Sequence, residues 1–532
     1  MAAIVSVIPI ILLFVLMMGL KMSGWKSALI TLVVTILLAV LVAPSMGIVP
    51  DKYVGSSIYA ITFWSIIEGV LKACFPIILI IICAIFSYNI LVETKESETI
   101  KTQFIPLTSD KGLLVLLLTW GFGGVLEGMA GFGTAVAIPA AILIGLGFKP
   151  MFSAVICLVA NTVAVGFGAV GLPATTLANQ VADGTASPEM HCEVATFIIL
   201  QLSLMFFITP FLILMMTDRT KILKNISLAL FVGCFSIIVQ FCCAYFLGPE
   251  TPAILGSVAA IIAMLIYNKL FIHDENPNDE VVVEKKKFGM TKTLKAWSVY
   301  GLIIFFILIS SKIVPPMNDL LKSTLVTKFD MPVIGNTFSF GWLSNAGLMI
   351  FLGAMIGGLI QGLSVGKLMK MLAKTTINLQ KTAITICCLV ALAMLMNNTG
   401  MTLAIATGLV AVTGAAYPFF APLIGSIGTF VTGSATSANI LFGKLQAAAG
   451  QLGLVNDAQF FGVNGNETNW LAAANCAGSE GGKLLSPQSI AIATAACDME
   501  GQDGDIMRKT LPFAIFWILM NGIMVFLGLH VI

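Results

Sequence analysis

The chain has 532 residues, of which 58% are hydrophobic and 10% charged, with a formal net charge of +2. Soluble domains carry about a quarter charged residues, so a water-exposed fold is excluded, and the near-neutral balance offers no field to draw the chain to nucleic acid. The mean hydropathy is +1.00, and apolar runs of the length that a bilayer core demands (about 20 residues per helical span) recur throughout. The expected class is an all-α integral membrane protein.

In chain order, apolar runs predict helices over 2–20, 28–49, 58–91, 112–126, 134–148, 152–172, 195–216, 228–247 and 252–272. After a hydrophilic stretch they resume over 297–314, 346–363, 383–396, 403–417, 422–431 and 511–529. Several of these are too short to cross alone, so about 12–14 full crossings are expected. The first run lacks a basic leading region and is followed at once by another apolar run, which marks a first span rather than a removable leader.

Cytoplasmic loops carry excess Lys and Arg. The basic loops hold Lys21 and Lys26; Lys95, Lys101 and Lys111; Arg219, Lys221 and Lys224; Lys285–Lys287 with Lys292 and Lys295; and Lys367, Lys370 and Lys374. Loops 248–251 and 315–318 are poor in positive charge. Placing the basic loops inside puts both termini outside. The stretch 273–296 reads as a cytoplasmic linker, dividing the chain into an N-terminal half, 1–272, and a C-terminal half, 297–532.

The halves echo each other. Asn161 stands twelve residues before Pro173, and Asn475 stands twelve before Pro487. Both prolines precede an apolar run bearing Thr or Ser. Gly-interrupted short segments in corresponding positions of two halves point to a transporter site near the bilayer midplane; helix packing through small residues is the plainer account of such a pattern.

Three motifs carry candidate chemistry. In the first, Glu127–Thr134 (EGMAGFGT), Gly131 and Gly133 around Phe132 weaken a helix, and irregular backbone at membrane depth must face protein or a wet cavity. Glu127 in that setting costs several kcal/mol when charged and unpaired, which makes it a proton carrier or, alternatively, an interfacial cap. In the second, Thr432–Asn439 (TGSATSAN), the polar groups of Ser434, Thr436, Ser437 and Asn439 suit a carboxylate or a small cation, or serve as interhelical glue. The third, Asn475–Ser489 (NCAGSEGGKLLSPQS), places Glu480 and Lys483 three residues apart beside Ser486 and Gln488. Pro487 breaks or starts a helix there, leaving amides for an anion. At membrane depth Lys483 is the counter-charge; in a solvated loop it would merely neutralise Glu480. The arginines, Arg219 and Arg508, both lie in basic loops. Asn161 and Asn397, the latter in an Asn-Asn-Thr-Gly break, add further polar positions. Glu68 and Lys72, four apart, read as a self-neutralising pair.

These motifs resemble the bacterial lactate permease family, through EGMAGFGTAVAI with ILIGLGF, NNTG at Asn397, TGSATSAN, and the stretch from AAN through GK to SPQS. The resemblance covers essentially the whole chain. It implies proton-coupled uptake of small 2-hydroxymonocarboxylates, lactate and glycolate, across the bacterial cytoplasmic membrane. It further implies two inverted-topology repeats with re-entrant hairpins, as in the wider ion-transporter group. On the motifs themselves, taken with this resemblance, substrate binding is expected at Gly131, Phe132, Gly133, Thr134, Asn161, Asn397, Ser434, Thr436, Ser437, Asn439, Asn475, Lys483, Ser486 and Gln488, and proton coupling at Glu127 and Glu480. Two positions depart from the family pattern: Ala435, where an acidic residue is usual, and Glu480, where a neutral one is.

A sodium-coupled carboxylate carrier is the competing reading within the class, and a non-transporting membrane sensor lies outside it. The eleven cysteines and three histidines lack metal-ligand spacing, and no hydrolase or protease motif occurs. No cofactor, metal or enzymatic activity is expected.

Overall fold

The computed structural model describes residues 2–20, 22–50, 53, 55–104, 107–131, 133–182, 186–272, 289–310, 314–452, 467–499 and 502–530. Most of the predicted linker lies outside the described residues, as does Phe132. Where it is described, the linker is partly helical, because the helix Met290–Ser310 takes in the last residues assigned to it.

Among the described residues, nine helices are long and apolar enough to cross a membrane, or up to eleven if two bent pairs count as one span each. Among the described residues the count is thus below the expected 12–14, for three structural reasons. The predicted runs at 403–417 and 422–431 belong to one stretch, Met401–Thr432. The run at 134–148 is a short helix, Thr134–Gly145. The run at 152–172 is cut at Asn161 into Pro150–Ala160 and a following bent helix.

Elements that apolarity did not reveal are those whose neighbours are protein or water. Glu467–Leu485 is almost wholly buried yet carries Asn, Ser, Glu and Lys, and Ala435–Gly450 is similar. Val365–Asn378 is amphipathic and mostly exposed. A two-stranded antiparallel hairpin, Val326–Met331 with Asn336–Gly341, sits between helices. Its Phe340 packs 5.1 Å from Phe75, and Trp342 lies 5.5 Å away. Phe75 is non-helical (φ −126°, ψ 102°), so the hairpin is fastened where the 58–93 stretch breaks, next to Pro76.

Lipid-facing and protein-facing helices separate cleanly. Ile222–Leu247 exposes Leu223, Leu230, Ile238 and Phe246, spaced seven or eight residues apart on one stripe. Lys111–Met129, by contrast, is buried along its apolar window and runs through the interior. Interior helices touch backbone to backbone. An added Cβ at Gly478 would lie 2.0 Å from the Pro422 carbonyl oxygen, and one at Gly482 2.0 Å from that of Ser426. This close approach of Glu467–Leu485 to Tyr417–Thr432 is the small-residue packing that replaces a hydrophobic driving force in lipid.

Gly478→Leu is therefore expected to lower stability in detergent by about 1–3 kcal/mol or more, read as a thermal melt. Gly145, where a Cβ would meet nothing within 4 Å, is the matched control: Gly145→Ala should leave the melt unchanged or raise it slightly.

Candidate functional site

Four chain interruptions build the site. In the first, Lys111–Met129 ends and Thr134–Gly145 begins across Gly131 (φ 61°) and Gly133 (φ 86°), both in the left-handed region that glycine adopts without penalty. The Thr134 hydroxyl donates back to the Gly131 carbonyl at 2.8 Å, closing the turn. In the second, Asn161 caps Pro150–Ala160 and the chain resumes as Gly168–Val181. The third is Gly433 (φ 71°), between Tyr417–Thr432 and Ala435–Gly450. The last is Ser486, between Glu467–Leu485 and Pro487–Ala496.

These breaks surround one cavity of about 940 Å³. Its walls include Glu127, Gly131, Gly168, Thr432–Ser437, Lys483 and Gln488. Two helix N-termini open onto it. The Ser434 hydroxyl accepts from the Ser437 amide at 3.2 Å, and the Ser486 hydroxyl from the Ser489 amide at 3.2 Å. The caps leave the Ala435 and Thr436 amides of one helix and the Gln488 amide of the other (Pro487 has none) at the cavity wall, where the helix dipole favours an anion. Lys483 stands beside them, its Nζ donating to the Gly433 carbonyl at 3.0 Å. Lysine, hydroxyls and amides thus share one wall.

Glu127 forms part of another. It is 3% exposed, and its Oε2 has no hydrogen-bond partner. Gly168 makes room for it: a Cβ there would lie 2.6 Å from Glu127 Oε1. Glu480 is fully buried behind the same segment, its Oε1 accepting from the Gly166 amide at 2.9 Å while Oε2 is unpartnered. The two carboxylates and Lys483 lie within one another's electrostatic reach. Two buried carboxyl groups flank the Gly166–Gly168 backbone, one at the cavity and one behind it.

Other sequence-selected residues lie near the cavity without lining it. Asn439 Nδ2 donates to the Pro173 carbonyl at 3.0 Å, and Asn475 Nδ2 donates to Asn439 Oδ1 at 3.0 Å. The pair ties the third interruption to the second from beneath. Gly133 abuts Ile492, Ser486 serves as a cap, and Asn161 is buried with its side chain directed to Glu127.

Asn397 is not among the lining residues. Its neighbour Asn398 turns the other way, donating to Glu68 Oε2 at 3.1 Å and to Ser65 Oγ at 3.1 Å while Tyr53 donates to it at 3.2 Å. Lys72 Nζ donates to Glu68 Oε1 at 2.8 Å, so the predicted pair is present and sits within a buried polar network.

Residues that sequence reasoning passed over include Trp25, Lys381 and Thr385, which border the cavity. They sit beside the basic loops that hold Lys26 and Lys374, outside the three motifs. Gly168 was legible as a glycine; what it accommodates was not.

A family model described as L-lactate permease matches residues 2–532. The chain belongs to the L-lactate permease family. It is 37% identical over 450 residues to an L-lactate permease of Streptococcus iniae, covering 84% of this chain and 90% of that one. It is 32% identical to the glycolate permease GlcA of Escherichia coli K12, covering 100% and 96%. Two solved structures share the fold: the Alcanivorax borkumensis YdaH transporter (TM-score 0.54, 11% identity, 94% and 98% covered) and Neisseria gonorrhoeae MtrF (TM-score 0.52, 13% identity, 95% of each). The relatives are permeases, not enzymes, and this chain is a multi-pass membrane transport protein.

In this permease, Gly168→Ala would push the new methyl group against Glu127. Because φ at Gly168 is −64°, the backbone tolerates alanine and the effect isolates that contact. Initial uptake rates are expected to fall about tenfold or more, the scale of a misplaced functional group. Wild-type rates would show that the fit around Glu127 is unimportant.

Proposed function

We propose that this permease carries small 2-hydroxymonocarboxylates, lactate and glycolate, into the bacterial cell across the cytoplasmic membrane together with a proton. One observation carries the reading: the cavity joins a cationic, hydroxyl-rich wall to a buried acid. The substrate carboxylate is held by Lys483, by the first-turn amides of Ala435–Gly450 and by the Gln488 amide of Pro487–Ala496. Thr436, Ser437 and Gln488 are placed to bond the 2-hydroxyl. The names of the permease relatives support the substrate class.

Glu127 is the proton-carrying group in this reading. A charge in this interior is stabilised by a partner of opposite sign, so a bound anion and an ionised Glu127 oppose each other across the cavity. Protonation of Glu127 removes the conflict and couples the proton to the substrate. Glu480, held by the Gly166 amide, is the second carboxyl in the relay. Sodium coupling has less support, because the Ser434 hydroxyl and Asn439 Oδ1 already accept hydrogen bonds from the protein.

The halves 1–272 and 297–532 act as inverted repeats in this scheme. In support, Thr134–Gly145 packs on Pro487–Ala496, while Gly168–Val181 packs on Ala435–Gly450. Each half thus lends a helix following one interruption to the other half's second interruption, the exchange that a two-fold relation produces.

In proteoliposomes free of sodium, a pH gradient alone should drive accumulation of labelled lactate. Glu127→Gln should abolish that accumulation yet preserve lactate–lactate exchange. Accumulation that needs sodium, or that survives the substitution, would remove the proton assignment. Lys483→Met should raise KM for lactate by about tenfold or more, a loss of about 1.4 kcal/mol per factor of ten, with an unchanged KM sinking its role in binding.

A further inference from the structure

A second cavity, of about 400 Å³, lies across a single turn of chain from the first. Gly168, Ala169, Leu172 and Pro173 line the first cavity, while Val170, Thr176 and Gln180 line the second. The dividing turn is strained: Ala169 (φ 44°), Val170 (φ 58°) and Gly171 (φ 71°) are all left-handed, a conformation that a β-branched residue rarely adopts. It is also clamped, since a Cβ on Gly171 would lie 2.0 Å from the Pro249 carbonyl oxygen. Strain held by close packing is a mark of functional segments.

The two cavities face opposite ways. Trp25 and Lys381 border the first, beside lysine-bearing loops, whereas Pro249–Thr251, in a loop without Lys or Arg, and Asn318 with Lys322, on the helix Pro315–Ser323, border the second. The second cavity is also built for a polar occupant. Thr176 and Gln180 are each 3% exposed, and Thr175 Oγ1, Thr176 Oγ1 and Gln180 Oε1, all on Gly168–Val181, have no hydrogen-bond partner. Buried polar atoms left unsatisfied are costly and rare, and three on one wall mark a ligand's place. Lys72, 6% exposed, adds a positive charge shared with Glu68.

We propose that the second cavity is an outer substrate site, which binds the same class of small hydroxycarboxylate before it passes the Ala169–Gly171 turn. The threonine hydroxyls and Lys72 face the carboxylate, and the Gln180 carbonyl oxygen accepts the 2-hydroxyl proton. The inference rests on the carrier reading above and adds a second station to it.

The test uses the full chain reconstituted in one known orientation, with labelled lactate supplied from each face in turn. Thr176→Val and Gln180→Met keep side-chain volume and remove the polar contact. Each should raise KM about fivefold from the second-cavity face, the scale of one lost hydrogen bond, and leave KM from the other face within about twofold. KM values that do not move, or that rise equally from both faces, overturn the proposal.

A second measurement covers variants that fail to fold. Ser344, exposed and part of the second cavity's lining, is replaced in an otherwise wild-type chain (Ser344→Cys) and labelled with a membrane-impermeant thiol reagent. Lactate should slow the labelling severalfold, and labelling indifferent to lactate overturns the site. A wild-type protein that does not transport lactate fails the carrier reading and this proposal together. Normal transport with no sidedness in the variants fails the second site alone.

Discussion

A backbone interrupted inside a membrane must be covered by protein, because lipid satisfies neither amides nor carbonyls. The architecture follows from that constraint. The breaks at Gly131–Gly133, Asn161–Gly168, Gly433 and Ser486 are enclosed by helices that are themselves shielded from lipid, Lys111–Met129 and Glu467–Leu485 above all. Exposed spans such as Ile222–Leu247 carry the lipid-facing apolar surface instead. The free amides that the breaks create then meet in one polar space, beside Lys483.

Close packing and polar exposure reinforce each other here. Helices at backbone contact through Gly478 and Gly482 leave no slack around Ser426, whose hydroxyl donates to the Gly478 carbonyl. The Asn439–Asn475 pair ties the interruptions together: Asn439 donates to the Pro173 carbonyl, and Asn475 to the Ala438 carbonyl and to Asn439 Oδ1. Against that rigid frame, Glu127 and Glu480 each keep an unpartnered oxygen.

Legibility in the sequence tracked how local each cause was. Lipid-facing spans announced themselves through unbroken apolarity, and the interruptions through Gly, Pro, Ser and Asn with their own turn chemistry. Glu127, Ser434–Ser437, Lys483 and Gln488 were selected from local pattern and do line the common cavity. Asn397 was selected on the same grounds and does not. The neighbouring Asn398 is claimed by Glu68, more than three hundred residues earlier in the chain. Ala435–Gly450 and Glu467–Leu485 escaped notice because their environment is other helices, so hydropathy, a measure of preference for lipid, says nothing of them.

Composition and local chemistry were enough to place this chain in a bilayer, to mark where its helices break, and to nominate residues with the right charge and hydroxyl content. Those properties belong to short stretches of backbone and do not depend on what lies opposite. Which interruptions share a cavity, that Gly168 exists to seat Glu127, and that Ala169–Gly171 parts two polar spaces were settled by folding. Each joins residues far apart in sequence, and only the packing of whole helices decides which of them meet.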